Sequence, residues 1–201
     1  MRIIIGLMLL ALLGGCSSNR PQAERAASIY DLGAPPQRPM QAVLPRAALE
    51  VHLPIWFDEA PMRYRLHYHN AAKMQEYVSA RWAAPPSQLL QQRLRLQLGL
   101  PAAQAAGEAA CLIVLDIDEF SHSFASPTAS SGQLLGEARL FDRSRRRLLG
   151  GFRFNVAQPA PTPDAVGGVQ ALSAATDRLA LQLREWLSGP GAGATEACRA
   201  P

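Results

Sequence analysis

The feature that most narrows the fold is a series of alternating segments in the second half of the chain. Between Cys111 and Phe120, the residues Cys111, Ile113, Leu115 and Ile117 fall on one side of an extended backbone. Successive side chains of a strand point to opposite faces, so this period of two marks a strand with one buried face. Gln133 to Phe141 and Leu148 to Gln158 read as two more strands, the second grouping Phe152, Phe154 and Val156. The arginine-rich stretch Arg143 to Arg147 separates them, and the pair is expected to form a hairpin around it.

Earlier segments carry the same signal more weakly. Ser28 to Leu32 reads as a short strand, and Pro35, Pro36, Pro39 and Pro45 then impose a loop. Ala48 to Leu53 puts Leu49, Val51 and Leu53 opposite Glu50 and His52. Met62 to His69 separates Met62, Tyr64, Leu66 and Tyr68 from Arg63, Arg65, His67 and His69, and a third strand spans Glu76 to Trp82. Two helices interrupt the strands. Pro85 and Pro86 suit a helix start, Leu90, Leu94 and Leu98 recur at helical spacing, and Gly99-Leu100-Pro101 closes the segment. The last helix has Thr162 as its expected cap, Pro163 at its first position and Asp164 near the positive end of its dipole. Val169, Leu172, Thr176, Leu179, Leu183 and Trp186 form its apolar face, and Gly189-Pro190 ends it. The expectation is one α+β domain, a mostly antiparallel sheet packed by two helices.

The N-terminus decides where this domain is built. Met1 and Arg2 precede the apolar run Ile3 to Leu13, followed by Gly14-Gly15-Cys16, the parts of a secretory signal. The run is shorter than the roughly 20 residues that cross a hydrocarbon core. Leu13-Gly14-Gly15-Cys16 resembles the lipobox of bacterial lipoproteins, whose cysteine becomes the acylated first residue of the mature chain. The alternative is an ordinary secreted protein with an early cysteine. The expected organisation is therefore a signal at residues 1–15 and a lipidated tether at 16–27. The domain would occupy 28–189 and an Ala/Gly-rich tail 190–201. One acyl chain holds a protein only reversibly, at about 0.8 kcal/mol per buried methylene, whereas the three chains of a processed lipoprotein cysteine hold it firmly. Ser17, in place of Asp, leans towards the outer membrane.

Composition excludes several classes. Hydrophobic residues make up 48% and charged residues 18%, a globular balance. Nineteen of the twenty basic residues are arginine, and the net charge of +4 is too dispersed for nucleic acid. Only Arg143 to Arg147 forms a run, read first as a solvated turn, with acidic headgroups or an acidic partner as the alternative.

No catalytic constellation emerges. His67 and His69, with His52 from an adjacent strand, fall short of a four-ligand zinc site, and a solvated polar face is the better reading. Asp116, Asp118 and Glu119 lack the pattern of a calcium loop and read as an acidic strand end. Neither a G-x-S-x-G nor an H-E-x-x-H motif is present, and no phosphate-cradling loop occurs. The expectation is a protein that is not an enzyme and takes no metal or cofactor.

The mature chain resembles the ABC-type transport auxiliary lipoproteins, periplasmic companions of MCE-domain lipid transporters. The resemblance rests on Ile29-Tyr30-Asp31-Leu32, Pro54-Ile55-Trp56-Phe57-Asp58 and Met62-Arg63-Tyr64-Arg65. It continues through Tyr77 to Trp82 into the Leu89-Leu90 helix, the strand Leu112 to Phe120, and the Trp186-Leu187 end of the last helix. It implies a non-catalytic, lipid-anchored protein at the outer membrane, facing the periplasm. Its partners would be an MCE-domain protein bridging the periplasm, an inner-membrane permease and an ATPase, with phospholipid as the expected cargo. A homo-oligomer is left open. A periplasmic lipid or cell-wall hydrolase, or an accessory lipoprotein of outer-membrane assembly, are the alternatives. A sheet edge and exposed aromatics suit docking by strand addition. Trp56, Phe57, Tyr64 and Trp82 are candidate contacts, with a place in the core as the competing reading of each.

With Cys16 acylated, Cys111 and Cys198 are the one possible intramolecular pair in an oxidising periplasm. Two readings stand: a disulfide closing a loop of about 88 residues, or a buried Cys111 and a free thiol on the tail.

Overall fold

The computed structural model describes residues 27–34, 44, 46–101, 109–190, 192–195 and 198. The expected signal, Cys16, the tether up to residue 26, the prolines of the 35–45 loop and much of the tail lie outside the described residues. Among the described residues seven strands share one sheet: β1 (Ser28–Tyr30), β2 (Ala47–His52), β3 (Pro61–Leu66), β4 (Met74–Trp82), β5 (Cys111–Phe124), β6 (Ser130–Asp142) and β7 (Arg147–Pro159). Four helical segments among the described residues accompany them: α1 (His67–Asn70), α2 (Pro86–Gln97), α3 (Ala165–Ser188) and α4 (Ala192–Thr195).

β5 is the spine of the sheet. Along one edge it pairs antiparallel with β6, which pairs antiparallel with β7. Along its other edge β2 and β3 lie end to end, both parallel to β5, with Ala47 opposite Cys111 and Leu66 opposite Phe124. β4 is antiparallel to β3, and β1 is parallel to β4. The sheet is therefore mixed, three of its six pairings being parallel, and not mostly antiparallel. The reason lies in the connections. Parallel neighbours need a crossover of a dozen or more residues, and the stretch holding α2 supplies one between β2 and β5.

A β-bulge at Asp118 decides which residues of β5 face the helices. Ahead of it Cys111, Ile113, Leu115 and Ile117 are buried; behind it the inward set becomes Phe120, His122 and Phe124. The extra residue shifts the parity by one, and Glu119, Ser121 and Ser123 turn to the opposite face. Gly136 sits opposite, where a Cβ would come within 2.2 Å of the Asp116 carbonyl oxygen.

The long hydrophobic face of α3 (Leu172, Thr176, Leu179, Leu183 and Leu187) closes over β6 and its neighbours. Its cap is Asp164, whose Oδ1 accepts from Gly167 N at 2.8 Å, rather than Thr162, which donates to that carboxylate instead. α2 packs its Leu89, Leu90 and Leu94 beside β2, with Pro86 in its first turn. β3 stops at Leu66, three residues earlier than its alternation suggests, and His67 and His69 stand on the turn of α1. Alternation cannot tell a strand from a polar turn that reverses the chain, which is what Asn70 makes by accepting from Ala72 N. The tail docks: Thr195 and Cys198 are buried, and Cys198 is bonded to Cys111 with Cα atoms 5.5 Å apart.

Candidate functional site

Four features offer chemistry or contact surface. The first is the loop from Leu53 to Ala60 between β2 and β3. It is held by Arg63, which donates to the Trp56 carbonyl at 3.2 Å, to Glu59 at 2.8 Å and to Glu76 at 2.8 Å. Asp58 fixes the loop's other side by accepting from Ser87 N and Ser87 Oγ, both at 2.8 Å, and so caps the start of α2. On this braced loop Ile55 and Trp56 stay 74% and 51% exposed, while Phe57 is buried under the Arg65 guanidinium.

The second is an aromatic cluster at the end of the sheet nearest the start of α3. Tyr64 and Tyr77 have ring centroids 4.7 Å apart, and His122 lies 4.4 Å from Phe124. The fully buried His122 shares a 2.7 Å hydrogen bond between its Nδ1 and the Tyr77 hydroxyl, and its Nε2 has no hydrogen-bond partner among the described residues. Burial pushes the imidazole down to about 4, against the opposing pull of Asp164, and burial also raises the Tyr77 hydroxyl. The pair is neutral and structural at neutral pH.

The third is a hollow of about 610 Å³ on the sheet face away from α2 and α3, walled by Arg65, Glu119, Ser131, Gln133 and Asn155, with His67 of α1 at its side. Its one strong electrostatic element is internally satisfied: Arg65 bonds both oxygens of Glu119, at 2.8 and 3.2 Å. The fourth is a groove of about 600 Å³ between β1 and α3, with Ile29, Tyr30, Ala83 and Val169 among its walls. Here the first strand is clamped to the helices. The buried Arg93 donates to the Leu32 carbonyl at 2.6 Å and pairs with Asp177 at 2.7 Å, and Ser173 also donates to Leu32.

The family model described as ABC-type transport auxiliary lipoprotein component matches residues 30–184. The chain belongs to that family. The match runs from β1 to the last turns of α3, so what this auxiliary lipoprotein shares with its relatives is the whole sheet-and-helix unit. Among solved structures it is similar to a protein from Xanthomonas campestris, at 19% identity and a TM-score of 0.66, over 84% of this chain and 99% of that one. A second crystal structure, of an uncharacterized protein, is similar at 16% identity and a TM-score of 0.63, over 80% and 98% of the two chains. At these identities the likeness speaks for the fold. No curated protein matches the sequence.

Of the four aromatic contacts expected of this auxiliary lipoprotein, the structure leaves one prominently on the surface. Trp56 is exposed; Phe57 and Trp82 belong to the interior, Trp82 with its ring centroid 5.5 Å from that of Phe120; Tyr64 is half-buried in the His122 cluster. His52 is not beside His67: β2 and β3 follow one another along β5, and His52 instead contacts Asp116 at 3.3 Å. Among the described residues no three His, Cys, Asp or Glu side chains gather as metal ligands. Asp116 pairs with Arg139, and Asp118 with Arg153 at 3.5 Å. Ile55, next to Trp56, is also exposed, and nothing in the sequence marks it as a contact because an apolar residue in a loop has no periodicity.

Proposed function

We propose that this auxiliary lipoprotein is anchored in the outer membrane by acyl chains on Cys16, faces the periplasm, and acts without catalysis of its own. It is the docking component of an ABC transport system built on an MCE-domain protein that moves phospholipid across the periplasm. The observation that carries the reading is the family match over residues 30–184, which runs from the end of β1 into the last turns of α3 and is described as an ABC-type transport auxiliary lipoprotein component. Two surfaces suit the docking role. The outer edge of β7, thirteen residues long, has no strand against it among the described residues, and such an edge takes an extended partner by strand addition. Ile55 and Trp56 form a small apolar prominence on a braced loop, and a rigid exposed Trp is a common interface anchor. Among the described residues no helix is long and apolar enough to cross a membrane.

The test is capture from detergent-extracted membranes with the tagged full-length protein. Recovery of an MCE-domain protein together with its permease and ATPase is expected, and Trp56→Asp should cut that recovery at least severalfold. Mass spectrometry of the mature N-terminal peptide should find acylated Cys16. Capture without any transporter subunit, or turnover of lipid or peptidoglycan by the purified protein, would overturn the reading.

A further inference from the structure

We propose that the tip of the β6–β7 hairpin is a docking surface for anionic lipid headgroups. Arg145, Arg146 and Arg147 are all exposed there, and Leu148, the next residue, is 54% exposed. The turn is preformed. The buried Asp142 accepts from Ser144 Oγ at 2.7 Å, from Arg145 N at 3.1 Å and from Arg145 Nη1 at 2.9 Å. One carboxylate therefore organises the whole loop and leaves Arg146 and Arg147 projecting from it. Other chain segments gather at the same end of the sheet. Arg143 N donates to the Ala110 carbonyl and Ala110 N to the Arg46 carbonyl, each at 3.0 Å, which brings the start of β2 to this end of the sheet with a further exposed arginine. The last turns of α3 arrive here too, Trp186 packing on Phe152, and their exposed Arg184 and Glu185 offset each other.

The exposed Arg146 and Arg147, beside an exposed leucine, match an anionic bilayer surface better than an acidic protein. Arginines near anionic headgroups each strengthen binding about fivefold, and a neighbouring aliphatic side chain can enter the boundary between headgroups and acyl chains. Geometry allows it. By strand rise the tip lies roughly 30 Å along the strands from Ser28 and, at the spacing of neighbouring strands, roughly 22 Å across them, about 37 Å in all, and the eleven links from Cys16 to Ala27 span at most about 40 Å. The reach rests on the anchored state proposed above; the chemistry of the tip does not.

The experiment uses the whole mature chain, residues 16–201 with Cys16→Ser, exported behind a cleavable signal so that no acyl chain contributes. Flotation with vesicles of phosphatidylglycerol and phosphatidylcholine should show at least tenfold tighter binding than with phosphatidylcholine alone, lost in half-molar salt. Arg146→Glu with Arg147→Glu, which leaves the Asp142 contacts in place, should abolish the preference, with circular dichroism confirming the fold. Equal flotation with both vesicle types, or an unaffected double variant, overturns the proposal. So does a tip that binds only an acidic protein. Failure to find acylated Cys16 would instead count against the anchoring alone.

Discussion

His122 shows what a single buried residue commits the fold to. Its ring is enclosed by β4, α3 and its neighbours on β5, and Tyr77 and Asp164 are the titratable groups that act on it. The unfolded chain takes up a proton near 6.5, while the folded one holds the ring neutral down to about 4. Between those values the unfolded state binds more protons, so stability falls as the pH drops from 6.5 to 4 and levels off, for this group, below that. Asp142 acts lower, where loss of its Ser144 and Arg145 bonds begins below the usual carboxylate range and reaches down to about 2. Denaturant titrations across pH 4–7 should show the first decline, and His122→Phe should flatten it. An unchanged slope in that variant would mean other groups carry the acid response.

At the scale of elements, the contacts of α3 with β6 and with β5 are each set by a missing side chain. A Cβ at Gly132 would stand 2.6 Å from the backbone of Ala171 and Leu172, and one at Gly168 would stand 2.6 Å from the ring of His122. The helix lies on the sheet closer than any side chain would permit, and backbone cannot move aside as a flexible side chain can. Gly132→Ala should therefore destabilise the protein by about 1–3 kcal/mol through overpacking, measured as a lowered denaturation midpoint. A neutral result would mean that the helix can slide, and that the close approach does not hold it in register.

For the whole molecule, the Cys111–Cys198 bond ties the chain's end to the first residue of its central strand. The described part of the tail is small and has few apolar groups, so burial alone holds it weakly. Cross-linking residues 87 apart removes loop entropy worth at most about 4.6 kcal/mol. Cys198→Ala should lower the melting temperature by several degrees, and reductant should do the same to the parent protein while leaving the variant unchanged. Two alkylated thiols in periplasm-purified, unreduced protein would show that the bond does not form.

Several elements were legible in the residues themselves. Period-two alternation located β5, β6 and β7, and steps of three and four located α3, because both periods are properties of local backbone geometry. The paired prolines before α2 and the arginine turn of the hairpin are local signals too. Tertiary structure decided the rest. Pairing partners and strand direction depend on where the chain returns after a crossover, so the mixed sheet could not be read from alternation. The Asp118 bulge, invisible as a pattern, sent Phe120 and His122 inward and Glu119 outward. Burial of Phe57 and Trp82 against exposure of Trp56 was likewise settled by what packs over each ring, since an aromatic side chain suits a core and an interface equally well.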